Sequence, residues 1–212
     1  MRGIHWAIII LILISFLIGI YLYPQMPDTI ASHWNAKGEA DGYMGKFWAL
    51  FIIPIIATVI LPLLIFIPRL DPLKGNIAKF RKEYDRFIFL ITFFLFYLYI
   101  LTLLWNLNIK FNLVQALAPA FSVLFYYTGI LIEKTKRNWF IGIRTPWTLS
   151  SDRVWEKTHK LGGKLFRIAG IIAAFGLIFP DYAIILIIAP VLIFSAFSFV
   201  YSYLEYVKLG KS

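Results

Sequence analysis

The sequence predicts an all-α membrane protein, a bundle of six transmembrane helices plus a short amphipathic cytoplasmic helix. Three observations carry this. The 212 residues are 60% hydrophobic and 15% charged, where a soluble domain is about 45–50% apolar and about 25% charged. Six long apolar runs follow one another, and a bilayer core of about 30 Å takes about 20 helical residues to cross. The basic residues gather in alternate connections between those runs, the pattern that orients membrane proteins.

The runs are Ile4–Leu22, Phe47–Ile67, Phe87–Trp105, Phe111–Ile132, Leu165–Phe179 and Tyr182–Tyr203. The first is long enough to span, and no small-x-small cleavage site follows it, so it is expected to be retained rather than removed as a signal peptide. Pro54 and Pro62 lie in the second run, Pro119 in the fourth and Pro190 in the sixth. Each frees a backbone carbonyl and can kink its helix; packing geometry is the expected role. The fifth run is short and has Arg167 near its start, where the aliphatic stem can carry the charge to the headgroups. Pro180-Asp181, all that separates the fifth and sixth runs, predicts a very tight helical hairpin.

Charge sets the orientation. Of the 21 Lys and Arg, 17 fall with the N-terminus, loops two and four and the tail (Lys208, Lys211), and three fall in loops one, three and five. The crowded side is the cytoplasmic one, so the chain is expected as one polytopic domain, 1–212, in the cell membrane with both termini inside. It has no appended soluble domain and no internal repeat. The net charge of +10 then reads as topology signal and attraction to membrane lipids, not as direct nucleic acid binding. The absence of cysteine excludes disulfides, thiol catalysis and thiolate metal sites.

Enzyme chemistry finds little support. The apolar runs hold no Asp, Glu or His well inside, and neither HExxH nor GxSxG occurs. No catalytic residue and no cofactor is expected. Ionisable groups at membrane depth mark ion pathways, and only Arg167 approaches that description. Asn106, Asn108 and Asn112 cluster at the outer end of loop three instead. A small transporter or channel-like protein is the alternative reading, ahead of a membrane enzyme.

Only loops one, two and four are long enough for specific chemistry, and loops one and four carry the motifs. The outer loop, residues 23–46, opens on Pro24 and Pro27, which stop the first helix. Turn signals stand at Asn35–Gly38 and Asp41-Gly42. The aromatic content between them predicts a segment folded down over the outer mouth of the bundle. Asp28, Glu39 and Asp41 accompany His33, but one histidine with scattered carboxylates favours a hydrogen-bonded loop over a metal site, and His33 and His159 lie on opposite sides. The inner loop, residues 133–164, predicts an amphipathic helix. Ser150 or Ser151 caps its start, Asp152 sits in its first turn, Glu156 and Lys160 are spaced i, i+4, and Val154, Thr158, Leu161 and Leu165 form a stripe bordered by Trp155 and His159. That helix is expected to lie on the inner leaflet, with Gly162-Gly163 turning the chain into the fifth span. Ahead of it, Arg144 is a charge able to pair with carboxylate or phosphate. Thr145 and Thr148 are placed to bond backbone around the rigid Pro146, and Trp147 to anchor the turn.

The outer stretch MPDTIASHWNAKGEADGYMGK resembles the N-terminal domain shared by a broad set of bacterial and archaeal membrane proteins of unknown function. The inner stretch IGIRTPWTLSSDRVWEKTHKLGGK resembles the signature of the SdpI family, and the order of helices fits along nearly the whole chain. The resemblance implies an immunity protein that protects a producing cell from a secreted toxic peptide dissipating the proton-motive force. It further implies a receptor that holds a helix-turn-helix repressor at the membrane when toxin is present. By that analogy Pro27, Asp28, His33, Trp34, Asn35, Gly38 and Asp41 form the outer ligand loop. Gly142, Arg144, Thr145, Pro146, Trp147, Thr148, Trp155 and His159 form the inner docking surface.

Overall fold

The computed structural model describes residues 2–209, without the side chain of Arg2; Lys211 lies outside the described residues. Helix α1 (Arg2–Leu22) runs into a 3-10 turn, Tyr23–Gln25, and then a β-hairpin of β1 (Thr29–Trp34) and β2 (Ala40–Gly45). Helix α2 (Lys46–Leu70), the short α3 (Lys74–Ala78), α4 (Arg81–Asn106) and α5 (Leu113–Lys134) follow. After a loop come the short α6 (Pro146–Ser150), α7 (Asp152–Ala174) and α8 (Ala183–Leu209).

Local chemistry sets most boundaries. Asn108 leaves α4 at φ +69°, a left-handed conformation that asparagine tolerates. The side chain of Asn112 caps α5 by accepting the Gln115 N–H at 2.9 Å. Ser151 caps α7 by accepting the Val154 N–H, so the predicted serine cap stands. Successive 3-10 turns, Phe175–Leu177 and Pro180–Tyr182, fold α8 back on α7 as the Pro-Asp pair predicted.

Five helical stretches are long and apolar enough to cross a membrane: Gly3–Gln25, Lys46–Leu70, Arg81–Asn106, Leu113–Lys134 and Pro180–Leu209. The chain is an all-α, multi-pass membrane protein. The sixth expected span is different in kind. Leu165–Phe179 comprises the second half of α7 and the 3-10 turn after it, continuous with the helix expected to lie separately on the inner leaflet, and Gly162-Gly163 makes no turn. Gly162 faces the Ile143 side chain of the loop, and Gly163 sits within the helix because α5 passes too close for a side chain. A Cβ on Gly163 would stand 2.7 Å from the Gly129 carbonyl oxygen, one on Gly129 2.4 Å from that of Gly163, and one on Gly170 2.7 Å from that of Ser122. Small residues that let backbones touch are how helices associate where no hydrophobic effect drives them. Of the predicted stripe, Val154 and Thr158 are buried in protein together with the bordering Trp155 and His159, and Leu161 and Leu165 are half-buried.

Buried clusters join the helices at both ends. Ile8, Leu61, Ile88 and Leu131 belong to one, toward the Arg81 end of α4. Leu22, Ile30, Leu50 and Tyr99 belong to another, under the hairpin. Ala118, Ala173 and Ala183 join α5, α7 and α8. Large apolar side chains such as Leu17, Leu63, Phe66, Leu192 and Ile193 point outward, as lipid permits and water does not. Arg167 is not left to snorkel alone: its guanidinium meets the Glu133 carboxylate of α5 at 2.7 Å.

Candidate functional site

The two motif loops occupy opposite ends of the bundle. The hairpin sits at the C-terminal end of α4 and the inner loop at its N-terminal end, about 39 Å apart along 26 helical residues.

At the hairpin end, β1 and β2 pair antiparallel with a bulge around His33. Asn35 makes the turn: its side-chain oxygen accepts from the Lys37 and Glu39 N–H groups and its amide donates to the Glu39 carboxylate. Gly38 stands at φ +77°, and a Cβ there would fall 2.2 Å from Asn112 Oδ1. Both facts demand glycine. Asp41-Gly42, read from sequence as a second turn, lies inside β2, where the Gly42 position leaves room for the His33 Cβ opposite. His33 Nδ1 meets Asp41 across the strands, and Lys46 meets Asp28 at 2.9 Å. Trp34 packs edge-on against Trp105 at 5.6 Å. Pro27 is exposed. The hairpin is fastened by two asparagines. Asn106 accepts the Ala31 N–H and donates to the Ala31 carbonyl, while Asn112 donates to the Lys37 carbonyl. The expected folding of this loop over the bundle is thus realised, as a strand pair.

At the other end, residues 135–151 form a tightly bonded loop. Thr145 and Thr148 cap α6 reciprocally, each side chain bonding the other's backbone N–H. Thr145 also reaches Ser202 of α8 at 3.0 Å. Pro146 opens α6 in its first turn, where a missing N–H costs nothing. Trp147 packs against Phe199 and Tyr203 of α8 at 5.2 and 5.0 Å. Gly142 holds φ +121°, and a Cβ there would meet His159 at 2.5 Å. Arg144 is exposed and donates to the Trp139 carbonyl at 2.9 Å; it meets no carboxylate among the described residues. Glu156 and Lys160, both exposed, form no ion pair.

His159 and Trp155 are the buried centre, stacked at 3.9 Å. Trp155 donates its indole N–H to the Thr135 carbonyl. His159 Nε2 accepts the Ile143 N–H at 2.9 Å, and Nδ1 faces the Trp155 carbonyl at 2.8 Å. A backbone N–H only donates and a carbonyl only accepts, so the ring is neutral with its proton on Nδ1. Burial pushes its pKa down to about 4. Beneath the loop is a cavity of about 440 Å³, reaching Leu64 of α2, Phe87 of α4, Thr128 of α5, Phe166 of α7 and Ser198 of α8. Its lining carries no charge, and Ser198 Oγ is buried there without a hydrogen-bond partner.

Residues 134–202 match the model of the SdpI/YfhL protein family. The chain carries the SdpI/YfhL domain. Residues 10–58 match a domain of unknown function, DUF1648. Along most of its length the chain is similar to the immunity protein SdpI of Bacillus subtilis (strain 168), 28% identical over 205 residues and covering 96% of each chain. No solved structure matches.

The SdpI/YfhL match contains the inner loop from residue 134, α6, α7 and most of α8; the DUF1648 match contains most of α1, the hairpin and the first half of α2. The structure brings Gly142, Thr145, Thr148, Trp155 and His159 into one unit, with Pro146 and Trp147 on its flank and Arg144 on its surface. It gathers the seven hairpin residues separately. Several supporting residues went unread in the sequence. Asn138 is fully buried and bonds four backbone groups, those of Lys136, Phe140 and twice Ile141. Asp71 accepts the Trp139 N–H from across the α2–α3 junction, and Asn76 donates to the Arg137 carbonyl. Their only signal was a polar residue set among aromatic or turn residues, too common to single out.

Proposed function

We propose that this chain is an immunity protein of the cell membrane, with its termini and the basic loop end in the cytoplasm. It gives resistance to a secreted membrane-active toxic peptide that meets the hairpin end. With peptide engaged, the exposed face around Arg144 holds a helix-turn-helix repressor. The observation that carries this reading is the similarity to the immunity protein SdpI, which spans 96% of both chains and so includes both loops. The geometry supports a division of labour. The hairpin rests on the α4 end through Asn106 and on the α5 start through Asn112, and the inner loop follows the far end of α5 and is bonded to Asp71, Asn76, His159 and Ser202. No catalytic step is part of the reading.

The test is protection. The chain is expressed in a sensitive host, and membrane potential is followed with a dye as an SdpC-like toxic peptide is added. Potential that holds while empty-vector cells depolarise supports immunity. Equal collapse at good expression removes that peptide as the ligand. A transport reading would begin at the 440 Å³ cavity, but its uncharged lining offers an ion no relay.

A further inference from the structure

We propose that a cleft between the end of α2, α3 and the start of α4 binds the phosphate of an anionic phospholipid. The cleft, about 430 Å³, is lined by Arg69, Lys74, Arg81 and Lys82 together with Pro68 and Ile77. Four cations facing one recess is the composition of an anionic headgroup pocket beside a membrane span. Carboxylates neutralise one of the four, Arg81. Asp71 is buried and occupied, accepting the Leu73 and Trp139 N–H groups. Asp85 takes Arg81 through Nε at 2.7 Å and stands 4.0 Å from His5 Nε2. Arg69, Lys74 and Lys82 make no ion pair among the described residues.

Height singles out lipid over a soluble anion or an acidic protein. Arg69 lies within the last turn of α2, its guanidinium 4.9 Å over the Phe66 ring. Phe66 and Leu70 are both largely exposed, at 53% and 66%. A side chain that covers a lipid-facing phenyl ring while its charge enters the cleft sits where acyl chains give way to headgroups. A phosphate there meets arginine and lysine donors while its chains run down the exposed face of α2. This inference rests on the membrane reading and is independent of the toxin.

The experiment uses the full chain in uncharged detergent and a fluorescent phosphatidylglycerol, competed in turn by unlabelled phosphatidylglycerol, phosphatidylcholine and inorganic phosphate. Phosphatidylglycerol is expected to compete, and the other two to fail. The Lys74→Gln/Lys82→Gln variant should bind at least tenfold more weakly, at about 1 kcal/mol per cation. The Lys134→Gln/Lys136→Gln variant, with the same charge removed from the end of α5 and the residue after its cap, should bind as the parent does. All four positions are exposed lysines, and matched gel-filtration profiles establish folding. Competition by phosphatidylcholine or by phosphate equal to that by phosphatidylglycerol overturns the proposal. So does equal weakening in both double variants, which would mark diffuse surface charge.

Discussion

At the scale of single residues, His159 ties the inner loop to α7 only while neutral, because its Nε2 lone pair receives the Ile143 N–H. Protonation puts a hydrogen on that nitrogen and ejects the loop's donor. The folded pKa of about 4 lies below the ordinary 6.5. Between these values the unfolded chain binds a proton that the folded one does not, so this contribution is fully present above pH 6.5 and is lost as pH falls through 4. The gap corresponds to roughly 3 kcal/mol. Thermal unfolding in detergent should therefore fall in temperature from pH 7 to pH 5, and the His159→Gln variant should start lower and show a flatter pH dependence. A parent profile as flat as the variant's would show that the loop does not depend on this ring. Gly38 presents a second case. The Gly38→Ala change costs about 1–2 kcal/mol for its left-handed backbone, and Asn112 must also move. Trypsin cleavage at Lys37 should become several-fold faster; unchanged cleavage would mean that the turn is not fixed by this residue.

At the scale of elements, α5 and α7 are joined by backbone contact and by one ion pair, and each can be probed apart. The Gly163→Leu variant drives a side chain against the Gly129 carbonyl and the Glu133 backbone. Overpacking of this kind costs about 1–3 kcal/mol and more where backbone is hit, so folded yield should drop sharply, while Gly45→Ala, with open space around it, should not. For Glu133 and Arg167, removing one partner strands a charge near lipid. Glu133→Gln and Arg167→Met should each lower the melting temperature more than the double variant does, because the pair replaced together leaves no orphan. Additive losses would show the contact to be solvent-screened. These elements also show what could be read from sequence. Five apolar runs and the Pro-Asp reversal needed only composition and length. The serine cap and the threonine pair around Pro146 needed only local bonding rules. The run of α7 through Gly162-Gly163 was not legible, since two glycines signal a turn unless the partner helix is known. Nor was the hairpin: its strands alternate weakly, and it is fastened to the bundle by Asn106 and Asn112, more than 60 residues away. His33 and Asp41 were legible as loop-folding partners but not as cross-strand ones.

At the scale of the whole molecule, the two ends must lie on opposite sides of a membrane for an immunity receptor to work, and the natural absence of cysteine makes the test clean. Tyr43 is 60% exposed on the hairpin and Lys136 is exposed in the inner loop. A membrane-impermeant maleimide should label the Tyr43→Cys variant in intact cells and the Lys136→Cys variant only after permeabilisation. The reverse pattern would invert the orientation that the basic residues specify, and labelling of both in intact cells would remove the spanning arrangement. The same two variants then address coupling. A ligand shifts a protein between states only by its unequal affinity for them. If peptide at the hairpin is what releases or creates the repressor-holding surface, its addition should slow labelling at Tyr43→Cys and also change the rate at Lys136→Cys in permeabilised cells. Protection at the hairpin with an unchanged rate at the loop would leave a chain that binds peptide outside and reports nothing inside. Immunity would then stand without signalling.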